Sequence, residues 1–217
     1  MARLIIVTGA SGAGKSFLLE QIQRLHSEIS PVKKLTTRPP RNSEPYDTSL
    51  DLIFNCSDAE VKKCDYKYNY FGHNYGIKKS DIDNHLMSGV SPIVIVARCS
   101  VIERIKADYR DALVLYVQNT LSGSDLKNEL IKQRDPIDIE ERMKRQQDSF
   151  NDYIQNIRER IFDYILINNF TDAFMSQVQC ILDLEQKRKI DANYIFVIMS
   201  FETQYNDVYS VLQNHEQ

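Results

Sequence analysis

A chain of 217 residues is long enough to bury a full core in one domain, or in one domain plus a fragment of a second. Its 42% hydrophobic and 26% charged content is that of a globular protein, and a net charge of −3 provides no overall attraction to nucleic acid or membrane. No apolar run approaches the roughly 18 residues of a membrane span, and no charged leader opens the chain, so a cytoplasmic protein is the expectation.

Leu4 to Val7 reads as a strand and leads into Gly9–Ser16, GASGAGKS, which fits GxxxxGK[ST] without a gap. Glycine is scarce, only seven in the chain, yet three fall in these eight positions. They allow a tight turn in which the backbone N–H groups of Gly9, Ala10, Ser11, Gly12, Ala13 and Gly14 converge on phosphate oxygens, at the positive end of the next helix. ATP is the expected ligand, with Lys15 on its terminal phosphates and Ser16 on Mg²⁺. Phe17 to Ile29 places Leu18, Ile22, Leu25 and Ile29 at helical spacing, and Pro31 ends that helix. Pro31 to Leu50, with four of the six prolines, reads as loop. Asp51 to Asn55 and Tyr66 to Phe71 read as short strands, with Ser57 and Glu60 as a capping box between them.

A helix near Ser80 to Ser88 precedes Pro92–Ala97, PIVIVA, an unbroken apolar run of the kind a parallel strand buried on both faces requires. Ser100 and Glu103 predict a second capping box, and Ala112 to Val117 and Tyr164 to Ile167 predict two more buried strands. Strands alternating with helices predict a three-layer α/β fold with right-handed crossovers. Cys56, Cys64, Cys99 and Cys180 lack ligand spacing and read as reduced thiols; His26, His73, His85 and His215 are equally scattered and read as non-ligands. Residues 185–193 form a charged linker. Residues 194–217 read as a further β-α unit, either completing the same sheet or opening a second α/β domain. That stretch resembles the first strand and helix of nucleoside deoxyribosyltransferase-like and TIR-like domains.

Lys33 to Arg41 carries four positive charges and no acid, and Arg38 and Arg41, stiffened by two prolines, form a fork suited to a phosphate dianion. The order GASGAGKS, TTRPPRNSE, FGHNYGI, ERM and FDYILIN resembles the guanylate kinase family over roughly residues 3 to 184. The resemblance implies a P-loop NTPase core spanning 1–184, an NMP-binding insertion at about 35–90 and a lid at about 120–140. By position it implies that Arg38, Arg41, Glu44 and Tyr75 hold the acceptor's phosphate. Arg134 and Arg142 match the lid arginines that neutralise the transferred group. Helix geometry treats the lid-side arginines separately. Ile139, Met143, Phe150, Ile154, Ile157 and Ile161 form a stripe, with Arg142 at its edge, roughly 80° from its centre, and Arg145 near the opposite face.

The departures concern the base. Guanylate kinases read guanine with a serine, a glutamate and an aspartate, and the corresponding positions are Lys34, Tyr66 and Ala97, with Asp65 available if the register shifts by one. A second strand acid falls on Ile95, and a phosphate-binding tyrosine on Leu52. The segment from Tyr75 to Gln118 also resembles ribose 1,5-bisphosphate phosphokinase, which accepts a sugar phosphate. The expected activity is ATP-dependent phosphotransfer to a phosphate-bearing small acceptor, a nucleoside monophosphate or a sugar phosphate, with Lys15, Arg38, Arg134 and Arg142 as catalytic residues. The alternative is a regulatory nucleotide-binding module controlling a fused domain; a homodimer or a fused second domain stays open. A non-catalytic interaction domain is a third class, against which the intact P-loop stands.

Overall fold

The computed structural model describes residues 2–40, 49–119, 148–149, 151–153, 156, 161–169 and 171–186. In chain order its elements are β1 (Ile5–Gly9), α1 (Lys15–Leu25), β2 (Ile29–Pro31), β3 (Lys34–Thr36), β4 (Leu52–Ile53), α2 (Asp58–Lys62), β5 (Tyr66–Tyr70) and β6 (His73–Ile77). These are followed by α3 (Lys79–Met87), β7 (Ser91–Ile95), α4 (Cys99–Asp108), β8 (Leu113–Asn119), β9 (Tyr164–Asn168) and α5 (Asp172–Gln186). Residues 148, 149, 151–153 and 156 are also helical.

The unbroken apolar runs become the five-stranded sheet, ordered β2-β7-β1-β8-β9 and parallel at every pairing. Alternate side chains serve two separate cores. Leu4, Ile6, Val94, Val114, Tyr116 and Ile165 face α4 and Tyr153. Ile5, Val7, Ile93, Leu113, Leu115 and Leu166 face α1 and α5. Both faces are therefore buried, which is why these strands show no polar alternation, and the three-layer α/β architecture follows.

The insertion is a four-stranded mixed sheet, β4-β3-β6-β5, whose β5–β6 hairpin turns at Phe71 and Gly72, φ 50° and 74°. Two successive positive φ values belong to the tight hairpin turn that matches strand twist. The predicted capping box is present: the Glu60 N–H donates to Ser57 Oγ and the Ser57 N–H to Glu60 Oε2, at 3.3 and 2.7 Å.

Four expectations change. The first helix stops at Leu25, which is 56% exposed, and Ile29 lies in a strand paired with Ser91. Ile29 is buried, so its apolar signal came from a sheet edge and not from a helix face. Pro31 sits in that edge strand, where a missing N–H is tolerated. The proline-rich stretch, which reads as loop, contains β3, and β6 and α5 are elements that the sequence pattern does not predict. Ser100 caps nothing: α4 begins at Cys99, and its first N–H donates to Asp152 Oδ2 at 3.0 Å. A carboxylate distant in sequence has taken the capping role, satisfying a free helical donor and opposing the positive end of the helix.

Asp152→Ala is expected to lower stability by about 1 kcal/mol in urea titrations, whereas Ser100→Ala at an exposed position stays within roughly 0.5 kcal/mol of wild type.

Candidate active site

All three glycines of the loop adopt positive φ: 141° at Gly9, 77° at Gly12 and 97° at Gly14. At Gly9 a Cβ would stand 2.2 Å from the Val117 carbonyl oxygen, so the turn lies directly on the end of β8. At Gly14 a Cβ would stand 2.3 Å from Asn168 Nδ2, the same amide that donates to the Ala13 carbonyl at 2.9 Å. The loop is thus braced from β8 and β9, and Gly14, the N-cap of α1, brings no capping side chain to the helix end. Such a turn is the cradle in which phosphate oxygens meet backbone N–H groups.

Lys15 folds back over this loop, its ammonium donating to the carbonyls of Gly9 and Ala10 at 2.7 and 2.6 Å, and Ser16 is exposed in the first helical turn. Tyr153, fully buried, brings its hydroxyl to Thr8 Oγ1 at 2.9 Å, to the Gly9 carbonyl at 3.4 Å and to the Ala97 carbonyl at 3.3 Å. The edge-on rings of Tyr116 and Phe162 hold it there. Burial pushes its phenol pKa well up, so it remains a protonated donor.

In the insertion, Arg38 is buried just past β3, with its guanidinium over the Phe54 ring at 5.1 Å and Nη1 donating to the Pro39 carbonyl at 3.2 Å. Its neighbours are fixed by the strand register. Thr36 pairs with Tyr75, and the Tyr75 ring stacks on Tyr68 at 5.2 Å. Lys34 is buried as well, its ammonium donating to Asp51 Oδ2 at 3.2 Å and to the Ile95 carbonyl at 2.7 Å. Burial lowers its pKa, with the Asp51 carboxylate working in the opposite direction. The Tyr68 hydroxyl oxygen accepts the Ala97 N–H.

Of the base-reading positions implied by resemblance, the structure brings Lys34 and Ala97 to the carboxyl end of β7 but leaves Tyr66 elsewhere. The Tyr66 hydroxyl bonds to Asp108, at the far end of α4. Asp65 is engaged there too, its carboxylate accepting the Lys79 N–H at 2.7 Å to cap α3. The tyrosine that reaches Ala97 is Tyr68, two residues along the same strand face. Arg98 lies against the Tyr70 ring at 5.0 Å and pairs with Asp148 at 2.8 Å. Arg41, Glu44, Arg134, Arg142 and Arg145 lie outside the described residues, as do the lid and 187–217. Two residues of the loop's surroundings were not selected from sequence. Asn168 ends the FDYILIN run, a signal that was present; Tyr153 sat unmarked in a polar stretch.

A parallel sheet whose first strand ends in this loop, with helices on both faces and an insertion tied to its carboxyl edge, defines a P-loop phosphotransferase. A family model described as guanylate kinase matches residues 1–185, and the chain belongs to the guanylate kinase family. Its relatives include the guanylate kinase of Polaromonas sp. (strain JS666 / ATCC BAA-500), 26% identical over 188 residues, covering 84% of this chain and 87% of the relative. The guanylate kinase of Legionella pneumophila (strain Paris) is 27% identical over 186 residues, covering 82% and 84%. The crystal structure of guanylate kinase from Anaplasma phagocytophilum shares the fold, with a TM-score of 0.60 at 15% identity over 87% of this chain and 88% of that one. The chain is accordingly a nucleoside monophosphate kinase-like enzyme. No helix among the described residues is long and apolar enough to cross a membrane.

Lys15→Ala is expected to weaken ATP·Mg binding in calorimetry by roughly 1.5–3 kcal/mol, the contribution of one charge-assisted phosphate contact.

Proposed function

We propose that this chain moves the γ-phosphoryl group of ATP to a small acceptor that already carries a phosphate, and that the acceptor is gripped by its phosphate without guanine being read. The observation that carries this reading is the pairing at the end of β7. The Ile95 carbonyl accepts from Lys34, the Ala97 carbonyl accepts from Tyr153, and the Ala97 N–H donates to Tyr68. Guanine presents N–H donors on its edge and needs acceptors; a site built for such bonds discriminates strongly against partners that leave them unmade. Here the resemblance puts a lysine and an alanine where acceptors belong, and the nearby backbone oxygens already have donors from within the protein.

ATP and Mg²⁺ fit the loop, since the positive φ of Gly9, Gly12 and Gly14 sets a turn whose backbone N–H groups can meet phosphate oxygens, and Ser16 offers a hydroxyl beside it. Bound Mg²⁺ would supply neutralisation of charge on the phosphoryl group in flight. Lys15 swings from the carbonyls of Gly9 and Ala10 to the terminal phosphates. Arg38, held over the Phe54 ring, brings a planar guanidinium to the acceptor's phosphate. Arg41, Glu44 and Tyr75 complete that grip, and Arg134 and Arg142 serve the transferred group. Little covalent participation is required of the protein, because positioning and charge neutralisation carry this chemistry. A non-guanine nucleoside monophosphate or a phosphorylated sugar is the acceptor.

Two measurements test the reading. In an ADP-release assay over nucleoside monophosphates and sugar phosphates, GMP is expected to be no better than the best of the others. Robust turnover with GMP at a micromolar Michaelis constant would overturn this. With that best acceptor, Arg38→Lys keeps charge but loses the fork, so acceptor affinity should fall while ATP affinity holds. The opposite pattern would reassign Arg38 to the nucleotide.

A further inference from the structure

The two carbonyls that hold Lys15 are not equivalent to ordinary loop carbonyls, because each has a second donor beside it. The Ala10 oxygen also accepts the Ala13 N–H at 3.3 Å, within the loop itself. The Gly9 oxygen has the Tyr153 hydroxyl at 3.4 Å, from a helix far along the chain. Both distances are long for hydrogen bonds, while the Lys15 contacts at 2.7 and 2.6 Å are short. This is the geometry of a shared acceptor dominated by the cation, with a weaker neutral donor alongside.

Taking up a nucleotide requires Lys15 to leave. Its ammonium has three N–H groups and must direct them at phosphate oxygens, so it withdraws from carbonyls that are buried; Gly9 and Ala10 both lie inside the protein. A buried carbonyl left without a donor carries a desolvation penalty, and that penalty would be charged against nucleotide binding. Tyr153 can prevent it at Gly9. Thr8 Oγ1, at 2.9 Å, can donate to the phenol oxygen and leave the phenol proton for the Gly9 and Ala97 carbonyls. The ring is locked between Tyr116 and Phe162, so the hydroxyl is in place before the nucleotide arrives.

We propose that Tyr153 is a positioning residue of the nucleotide site: its hydroxyl takes over the Gly9 carbonyl when Lys15 moves to the phosphates, making release of the lysine inexpensive in free energy. The inference rests on the P-loop binding ATP as proposed above, and it does not depend on the acceptor's identity. It predicts an energetic coupling between Tyr153 and Lys15 that a purely structural tyrosine would not show. With Lys15 present, losing the hydroxyl leaves the Gly9 carbonyl bonded in the free protein and bare in the complex, so binding suffers. Without Lys15 the carbonyl is bare in both states and binding is unaffected.

The experiment is a double-mutant cycle read by calorimetry with ATP·Mg as the probe, carried to millimolar nucleotide, on wild type, Tyr153→Phe, Lys15→Ala and the double variant. The expected result is about a fivefold loss of affinity from Tyr153→Phe in the wild-type background and less than twofold in the Lys15→Ala background. Equal losses in both backgrounds, or none in either, would overturn the proposal while leaving ATP binding established. If wild type itself does not bind ATP·Mg, the P-loop reading falls and this inference falls with it. Phe162→Leu disturbs the same ring packing without touching the hydroxyl and should lower the melting temperature without showing the coupling. Should Tyr153→Phe not fold, Tyr153→Met fills the ring's place with a flexible apolar chain and is read the same way.

Discussion

The site depends on one steric fact: nothing larger than hydrogen fits at Gly9. The distance of 2.2 Å from a would-be Cβ to the Val117 oxygen means that the loop can settle on the sheet's edge only because glycine is there. Seated in this way, it presents carbonyls to Lys15 on one side and lets Asn168 of β9 reach the Ala13 oxygen on the other. The order of the sheet supplies both neighbours, since β8 lies beside β1 and β9 beside β8. The glycine-rich motif is thus one half of the arrangement; the other half is the carboxyl ends of two strands more than a hundred positions later.

A second junction forms at the carboxyl end of β7. Parallel strands end with carbonyls that no neighbouring strand continues to satisfy, and buried oxygens require donors. Here the donors come from two directions: Lys34 from the insertion, and Tyr153 from the helical residues 151–153. Asp152, next to Tyr153, places its carboxylate on the first N–H of α4. The same few residues therefore complete the hydrogen bonding of the core and fasten the acceptor-side sheet to it. A base-reading carboxylate on this edge would compete with that fastening.

Much of the core was legible in the sequence because burial on both faces leaves an unmistakable run of apolar residues, as in Ile93 to Val96 and Leu113 to Val117. The phosphate loop and the Ser57–Glu60 box were equally plain, each being a local pattern with a local cause. What escaped notice was non-local. Strands of three residues, β2 and β3, are too short to carry a period and exist because a neighbour offers a free edge. Ser100 looked like a cap until a carboxylate from Asp152 took the position. On the acceptor side, a run of alternating tyrosines reads the same in either register. Only the pairing of Tyr68 with Tyr75 identifies which ring reaches Ala97. Tyr153 had no signature, since its role is defined by what surrounds it.

The position of β1 has a consequence for how the chain reaches this structure. Among the described strands of this sheet, the earliest in the sequence is the central one, and its partners are β7, through Ile5 and Ile93, and β8, through Ile5 and Leu113. During synthesis Leu4 to Val7 must therefore wait, apolar and unpaired, until about half the chain has left the ribosome, because parallel pairing across such separations closes late. The locally paired β5–β6 hairpin can form in the interval, so the acceptor-side sheet is available for assembly before the nucleotide loop has a surface to rest on. Nascent-chain quality control would accordingly meet this sheet first as one exposed, unpaired apolar strand.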